Sequence, residues 1–181
     1  MNAAVFFPGI GYRFNRPLLK APADFAAENG IKIIKVDYDG FPENAKQNLD
    51  SAVRTALDQT EKILEGTDWS SFEKIFFIAK SIGTAAACIY ADAHGIKCRK
   101  ILFTPILQTF SVHIEDAVAF YGTSDPWISQ KDVTAGCEKN SIPLFVYDGM
   151  NHSLLCEDEA KNLVVMDDVM KKTFNFISAV L

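Results

Sequence analysis

Apolar residues along the chain fall into two patterns: short solid runs and longer stretches with helical spacing. The solid runs are Ala4 to Phe7, Ile31 to Val36, Lys74 to Ile78, Lys100 to Thr104, Val118 to Tyr121 and Pro143 to Tyr147. They are rich in aromatic and β-branched residues and read as strands buried on both faces. Between them the spacing predicts helices over Arg16 to Asn29 with Gly30 as the stop, Ala45 to Glu65 with Gly66 as the stop, and Thr84 to Ala93 ending at His94-Gly95. Further helices follow over Ser129 to Asn140, with Ser129 as N-cap, and from Glu157 or Asp158 to Ala179. Leu49, Val53, Ala56, Leu57, Thr60, Ile63 and Leu64 recur at three- and four-residue steps, as do Leu163, Val164, Met166, Val169, Met170, Phe174 and Ile177.

Strict alternation of strand and helix implies a mostly parallel sheet with helices on both faces, a three-layer α/β/α sandwich. No linker, repeat or low-complexity stretch interrupts it, so residues 1–181 read as one domain. Residues 106–116 alone lack a pattern. They have room for a short helix over the site but not for a separate cap domain.

Composition narrows the function classes. With 49% hydrophobic and 23% charged residues the chain is globular. A net charge of −5 and no basic stripe argue against nucleic acid or an anionic membrane surface as partner. No apolar run is long enough to span a bilayer. Met1 to Pro8 carries no basic residue and reads as the first strand rather than a signal peptide, which points to the cytoplasm. Cys88, Cys98, Cys137 and Cys156 form no C-x-x-C pair, so neither zinc nor a disulfide framework is expected. Cys88 reads as a small core residue.

Three strand ends carry candidate chemistry. Ile75-Phe76-Phe77-Ile78 leads into Ala79-Lys80-Ser81-Ile82-Gly83 and then an Ala-rich helix. A sharp strand-to-helix turn lifts the serine hydroxyl clear of the backbone, and it needs small residues two positions either side of Ser81. Val118 to Tyr121 leads into Gly122-Thr123-Ser124-Asp125-Pro126, and Leu144 to Tyr147 leads into Asp148-Gly149-Met150-Asn151-His152-Ser153. Taken singly, Ser81 could cap a helix, Asp125 could open a turn and His152 could be an idle loop residue. Together they put Ser, Asp and His at three separate strand ends, in the order that suits nucleophile, orienting acid and base. His94 reads as a helix terminus and His113 as an exposed residue. Lys80 either pairs with a carboxylate beside the serine or is solvated. Gly9-Ile10-Gly11-Tyr12-Arg13-Phe14 lacks the last glycine of a dinucleotide loop, Lys80-Ser81 lacks the glycines of a phosphate loop, and Asn151-His152-Ser153 matches a glycosylation site only by pattern.

The small-x-Ser-x-Gly turn, the Asp and His loops and the strand–helix alternation together resemble the α/β-hydrolase family across essentially the whole chain. That family normally begins with two further strands, so the resemblance implies a trimmed six-stranded sheet of order 2-1-3-4-5-6 with a minimal cap. It also implies Ser81 as nucleophile, His152 as general base and acid, and Asp125 as the residue that orients the histidine. An oxyanion hole would be formed by the backbone N–H of Ile82 and of Ile10 or Gly11, in a loop where Pro8 takes the place of a frequent histidine. Tyr12, Phe14 and Trp127 are candidate pocket walls. The implied reaction is hydrolysis of a carboxylic ester or related acyl bond of a small molecule, without metal or organic cofactor. Monomer and homodimer both remain open. A non-catalytic ligand- or partner-binding protein of the same fold is the alternative. A flavodoxin-like nucleotide- or flavin-binding domain fits the alternation alone.

Overall fold

The computed structural model of the chain describes residues 1–41, 45 and 47–181. The strands are β1 (Ala3–Phe7), β2 (Lys32–Lys35), β3 (Ile75–Lys80), β4 (Arg99–Phe103), β5 (Ala117–Gly122) and β6 (Leu144–Tyr147). They form one sheet of order β2-β1-β3-β4-β5-β6, and every neighbouring pair runs parallel. The helices are α1 (Pro17–Glu28), α2 (Leu49–Leu64), α3 (Ile82–Ala93), α4 (Gln130–Lys139) and α5 (Glu159–Ser178). Two short 3-10 helices, Trp69–Ser71 and Leu107–Ser111, complete the described elements.

The two-residue period of a strand explains the layers. Ala4, Phe6, Phe76, Ile78, Ile101, Phe103, Val118 and Phe120 face one side, where Leu18 and Leu19 of α1 and Val165 and Val169 of α5 cover them. Val5, Phe7, Phe77 and Ala79 face the other, against Leu64 of α2 and Ala87 and Tyr90 of α3. Farther along that side Leu102, Ala119 and Tyr121 meet Val133 and Cys137 of α4. The inner strands β1, β3 and β5 are buried throughout, whereas β2 and β6 are partly exposed edges.

Helix ends follow local chemistry. The side chains of Asn48, Ser129 and Asp158 accept from backbone N–H groups in the first turns of α2, α4 and α5. Gly30, Gly66 and Gly95 each take the positive φ that stops a helix. The second helix therefore begins at Leu49, four residues later than its periodicity suggested, because Asn48 caps it there; Lys46 lies outside the described residues. The segment after β4 differs more. Its 3-10 helix packs against α3 and α4 rather than over the strand ends: Thr109 and Thr84 hydroxyls are 2.6 Å apart, and the Phe110 ring lies where any side chain at Gly136 would stand. No described helix is long and apolar enough to cross a membrane.

Candidate active site

At the C-terminal edge of the sheet, β1 has β2 on one side and β3 on the other, so the chain leaves these strands in opposite directions and opens a crevice. Ser81 stands at this crevice, between β3 and α3, with φ 56° and ψ −123°. Few non-glycine residues adopt such a conformation, and it is held here by the packing around it. A Cβ on Gly83 would lie 2.5 Å from the carbonyl oxygens of Phe7 and Pro8. Glycine is therefore required two positions after the serine for α3 to approach β1. The N–H of Ser81 donates to the Phe103 carbonyl at 3.0 Å, and its own carbonyl accepts from the Thr84 N–H and hydroxyl. Its side chain makes no helix-capping bond.

That side chain instead meets the histidine. Ser81 Oγ is 2.7 Å from His152 Nε2, and His152 Nδ1 is 2.6 Å from Asp125 Oδ2. An ionised carboxylate can only accept, so the Nδ1 proton lies on the Asp125 side and Nε2 is left to accept from the serine hydroxyl. The other oxygen, Oδ1, accepts from the Trp127 N–H at 2.9 Å, and no part of the Asp125 side chain is exposed. The Trp127 ring stacks on the imidazole with centroids 5.1 Å apart.

The two loops that bring Asp125 and His152 together are bound to each other. Ser124 N–H donates to the Met150 carbonyl and Gly149 N–H to the Thr123 hydroxyl. A Cβ on Gly122 would lie 2.2 Å from the Met150 carbonyl oxygen, so the histidine loop rests directly on bare backbone at the end of β5. Thr104, after β4, donates its hydroxyl to the His152 carbonyl at 3.0 Å from a backbone φ of 45°. This threonine carries no motif and was missed in the sequence; its strain and its bond exist only once four strand ends are side by side.

The loop after β1 turns tightly. Gly9 and Tyr12 exchange backbone bonds of 3.2 and 3.1 Å, and Gly11 takes φ 71°. Among the described residues nothing accepts the N–H of Ile10 or Gly11, both of which border the site. The N–H of Ile82 is likewise free of an intrahelical partner, as the first residue of α3.

A cavity of about 300 Å³ opens over these groups, walled by Ile10, Tyr12, Lys80, Ser81, Trp127 and His152 among others. Tyr12 and Trp127 line this cavity. Phe14 does not: it turns inward, meets Phe6 edge-on at 5.3 Å, and has the Lys35 ammonium 3.8 Å above its ring. None of residues 106–116 borders the cavity. Among the described residues Lys80 has no ion-pair partner, and it borders the cavity. It is 1% exposed, and burial lowers its amine from 10.5 to about 7, against the smaller opposing pull of Asp125. The four cysteines are free, and burial raises the thiols of Cys88 and Cys137 to about 12, so neither is an activated nucleophile.

No protein-family model matches the sequence, and no curated protein matches it. Solved structures do match in fold. An α/β serine hydrolase homologue from Coxiella burnetii superposes with a TM-score of 0.67 at 14% identity, over 95% of this chain and 84% of its own. An esterase from Pyrococcus furiosus gives 0.68 at 14% identity, over 98% and 82%. Est1E from Butyrivibrio proteoclasticus, solved with ferulic acid, gives 0.67 at 11% identity, over 98% and 90%. The chain therefore has an α/β-hydrolase fold.

Proposed function

We propose that the protein is a serine hydrolase that cleaves a carboxylic ester or related acyl bond of a small molecule. The observation that carries this reading is the continuous hydrogen-bonded chain from Ser81 through His152 to the fully buried carboxylate of Asp125. In the reaction, His152 Nε2 takes the hydroxyl proton as Ser81 Oγ attacks the acyl carbon, and Asp125 stabilises the imidazolium. The imidazolium then protonates the leaving alcohol. Water, deprotonated by the same nitrogen, releases the acid and restores the serine. The developing oxyanion would be held by the N–H groups of Ile82 and of Ile10, with Gly11 adjacent.

Three further features support it. The Ser81 side chain is not spent on capping its helix. The cavity, at about 300 Å³, is near the lower bound for small-molecule sites, which suits a modest acyl group. One of the fold neighbours, from Pyrococcus furiosus, is named as an esterase.

The test is labelling with a fluorophosphonate probe, read by intact mass. The expected result is one adduct on the wild type and none on Ser81→Ala or His152→Ala. Absence of an adduct on folded wild type would overturn the reading in favour of a binding role for the same crevice.

A further inference from the structure

The cavity wall is electrostatically one-sided. Lys80 and Arg16 both border it, and no carboxylate does among the described residues. The two cations lie against the same aromatic ring: Lys80 Nζ is 5.1 Å and Arg16 Cζ 5.6 Å from the centroid of Tyr12. The ring is fixed, because its hydroxyl accepts the Leu18 N–H at 3.0 Å. Neither cation has an ion pair or side-chain hydrogen bond to another described residue. Asp125 is the carboxylate that attracts Lys80, but its two oxygens are taken by His152 and the Trp127 N–H. A cationic wall is also against the trend of a chain with net charge −5.

An ammonium 1% exposed at a cavity wall, with no anionic partner among the described residues, is costly to a fold, since burial strips most of its water. An apolar side chain would fill the end of β3 more cheaply. The missing partner is most simply an anion that arrives with the ligand. Lys80 sits one residue before the nucleophile, so an anion held by it lies beside the reacting centre. Arg16, exposed at the rim, would meet the same group on entry and offer its planar fork to it.

We propose that Lys80 and Arg16 form an anion-binding subsite against the Tyr12 ring, so that the acyl substrates of this site carry a negatively charged group. The inference rests on the serine-hydrolase reading and gives it a substrate class. Burial of Lys80 supports it further: an amine lowered to about 7 is recharged by an incoming anion, so the subsite is weakly charged when empty and fully charged when filled.

The experiment compares matched esters that differ only in a free carboxylate. One pair places the charge on the leaving group: 4-acetoxybenzoate against its methyl ester. The other places it on the acyl chain: the mono-4-nitrophenyl ester of adipic acid against its methyl ester. The readout is the ratio of kcat/KM for charged over neutral ester within each pair. In at least one pair the wild type should favour the charged ester tenfold or more. Lys80→Met and Arg16→Ala should each reduce that ratio fivefold or more. Fluorophosphonate labelling of each variant shows that it is folded and armed. Should Lys80→Met fail to fold, Arg16→Ala, at an exposed side chain, decides the matter alone. A labelled wild type with ratios near one in both pairs, or one that cleaves none of the four esters, overturns the subsite and leaves the hydrolase reading standing. Ratios that survive in the variants do the same. A folded wild type that is neither labelled nor active removes both.

Discussion

Two lysines are buried on neighbouring strands of one ladder, and they are treated differently. Lys100, near the start of β4, pairs in register with Phe77, while Lys80, at the end of β3, pairs with Phe103. Lys100 is 6% exposed and donates to the carbonyls of Cys98 and Glu115 at 3.1 and 3.2 Å. Lys80 is 1% exposed and donates to no described residue. The cavity near Lys100, at about 550 Å³, is larger than the one over Ser81 and holds none of Ser81, Asp125 or His152. Volume therefore does not mark the candidate site. What marks it is the joined side chains of Ser81, His152 and Asp125, beside an amine with no ion pair among the described residues and backbone N–H groups that none of those residues accepts. At the opposite end of the sheet Lys100 is satisfied by two backbone carbonyls, while Asn2 Oδ1 and Arg99 Nη1 are buried there without a hydrogen-bond partner among the described residues.

The contrast can be broken in four places. The largest effect is expected at Asp125: on the hydrolase reading, Asp125→Asn lowers kcat by roughly 10⁴-fold with the fold intact, measured on whichever ester proves active. Next come the two lysines. The folded Lys80 amine titrates near 7 and the unfolded one near 10.5, so between those values the unfolded chain binds more protons and wild-type stability rises with pH. Below pH 7 the full penalty of burying the charge is present. Lys80→Met should therefore be more stable than wild type by on the order of 5 kcal/mol below pH 7, from the difference between 10.5 and about 7 at about 1.4 kcal/mol per pKa unit, with the advantage shrinking toward pH 10.5. Lys100→Met should go the other way, destabilising by about 1–3 kcal/mol because two carbonyls lose their donor. Denaturant melts across pH compare the pair, and a gain at both lysines would erase the distinction drawn between them.

Smaller effects separate the glycines. Gly122→Ala pushes a methyl group into the Met150 carbonyl and should cost roughly 3 kcal/mol. Gly95→Ala, with a positive φ and open space around it, should cost only about 1–2 kcal/mol. Equal melting shifts would mean that the histidine loop is less tightly seated on β5 than its contacts indicate. Smallest is Thr104→Val. It removes the bond to the His152 carbonyl at unchanged shape and should cost about 1 kcal/mol of stability, with a few-fold loss of turnover.

Much of this was legible in the residues. Each of the six apolar runs is a strand, and each helical repeat is a helix, because periodicity reports which face a residue buries. The strand order followed from the resemblance. The elbow was readable because Gly83 leaves a local mark: α3 cannot approach β1 with a side chain there. Boundaries and insertions were less readable. Asn48 stops α2 where the apolar pattern would have carried it on, and Phe14 faces Phe6 rather than the cavity, a choice made by the turn at Gly9 to Tyr12 and invisible in its own spacing. The 3-10 helix after β4 settled between α3 and α4 because Gly136 leaves room there for Phe110.

Residue order alone was enough for the layered α/β architecture and for the three residue types at three strand ends, since hydrophobic period, turn glycines and helix caps are local properties. Distances were not local. Ser81, Asp125 and His152 are separated by up to 71 positions, and only the sheet brings Ser81 within 2.7 Å and Asp125 within 2.6 Å of His152. The state of Lys80 was decided in the same way. In the sequence it is one more lysine; a buried amine beside the serine, with no ion pair among the described residues, comes into being when β1, β3 and the loop carrying Tyr12 close around it, because desolvation is a property of the whole surrounding volume and not of any segment.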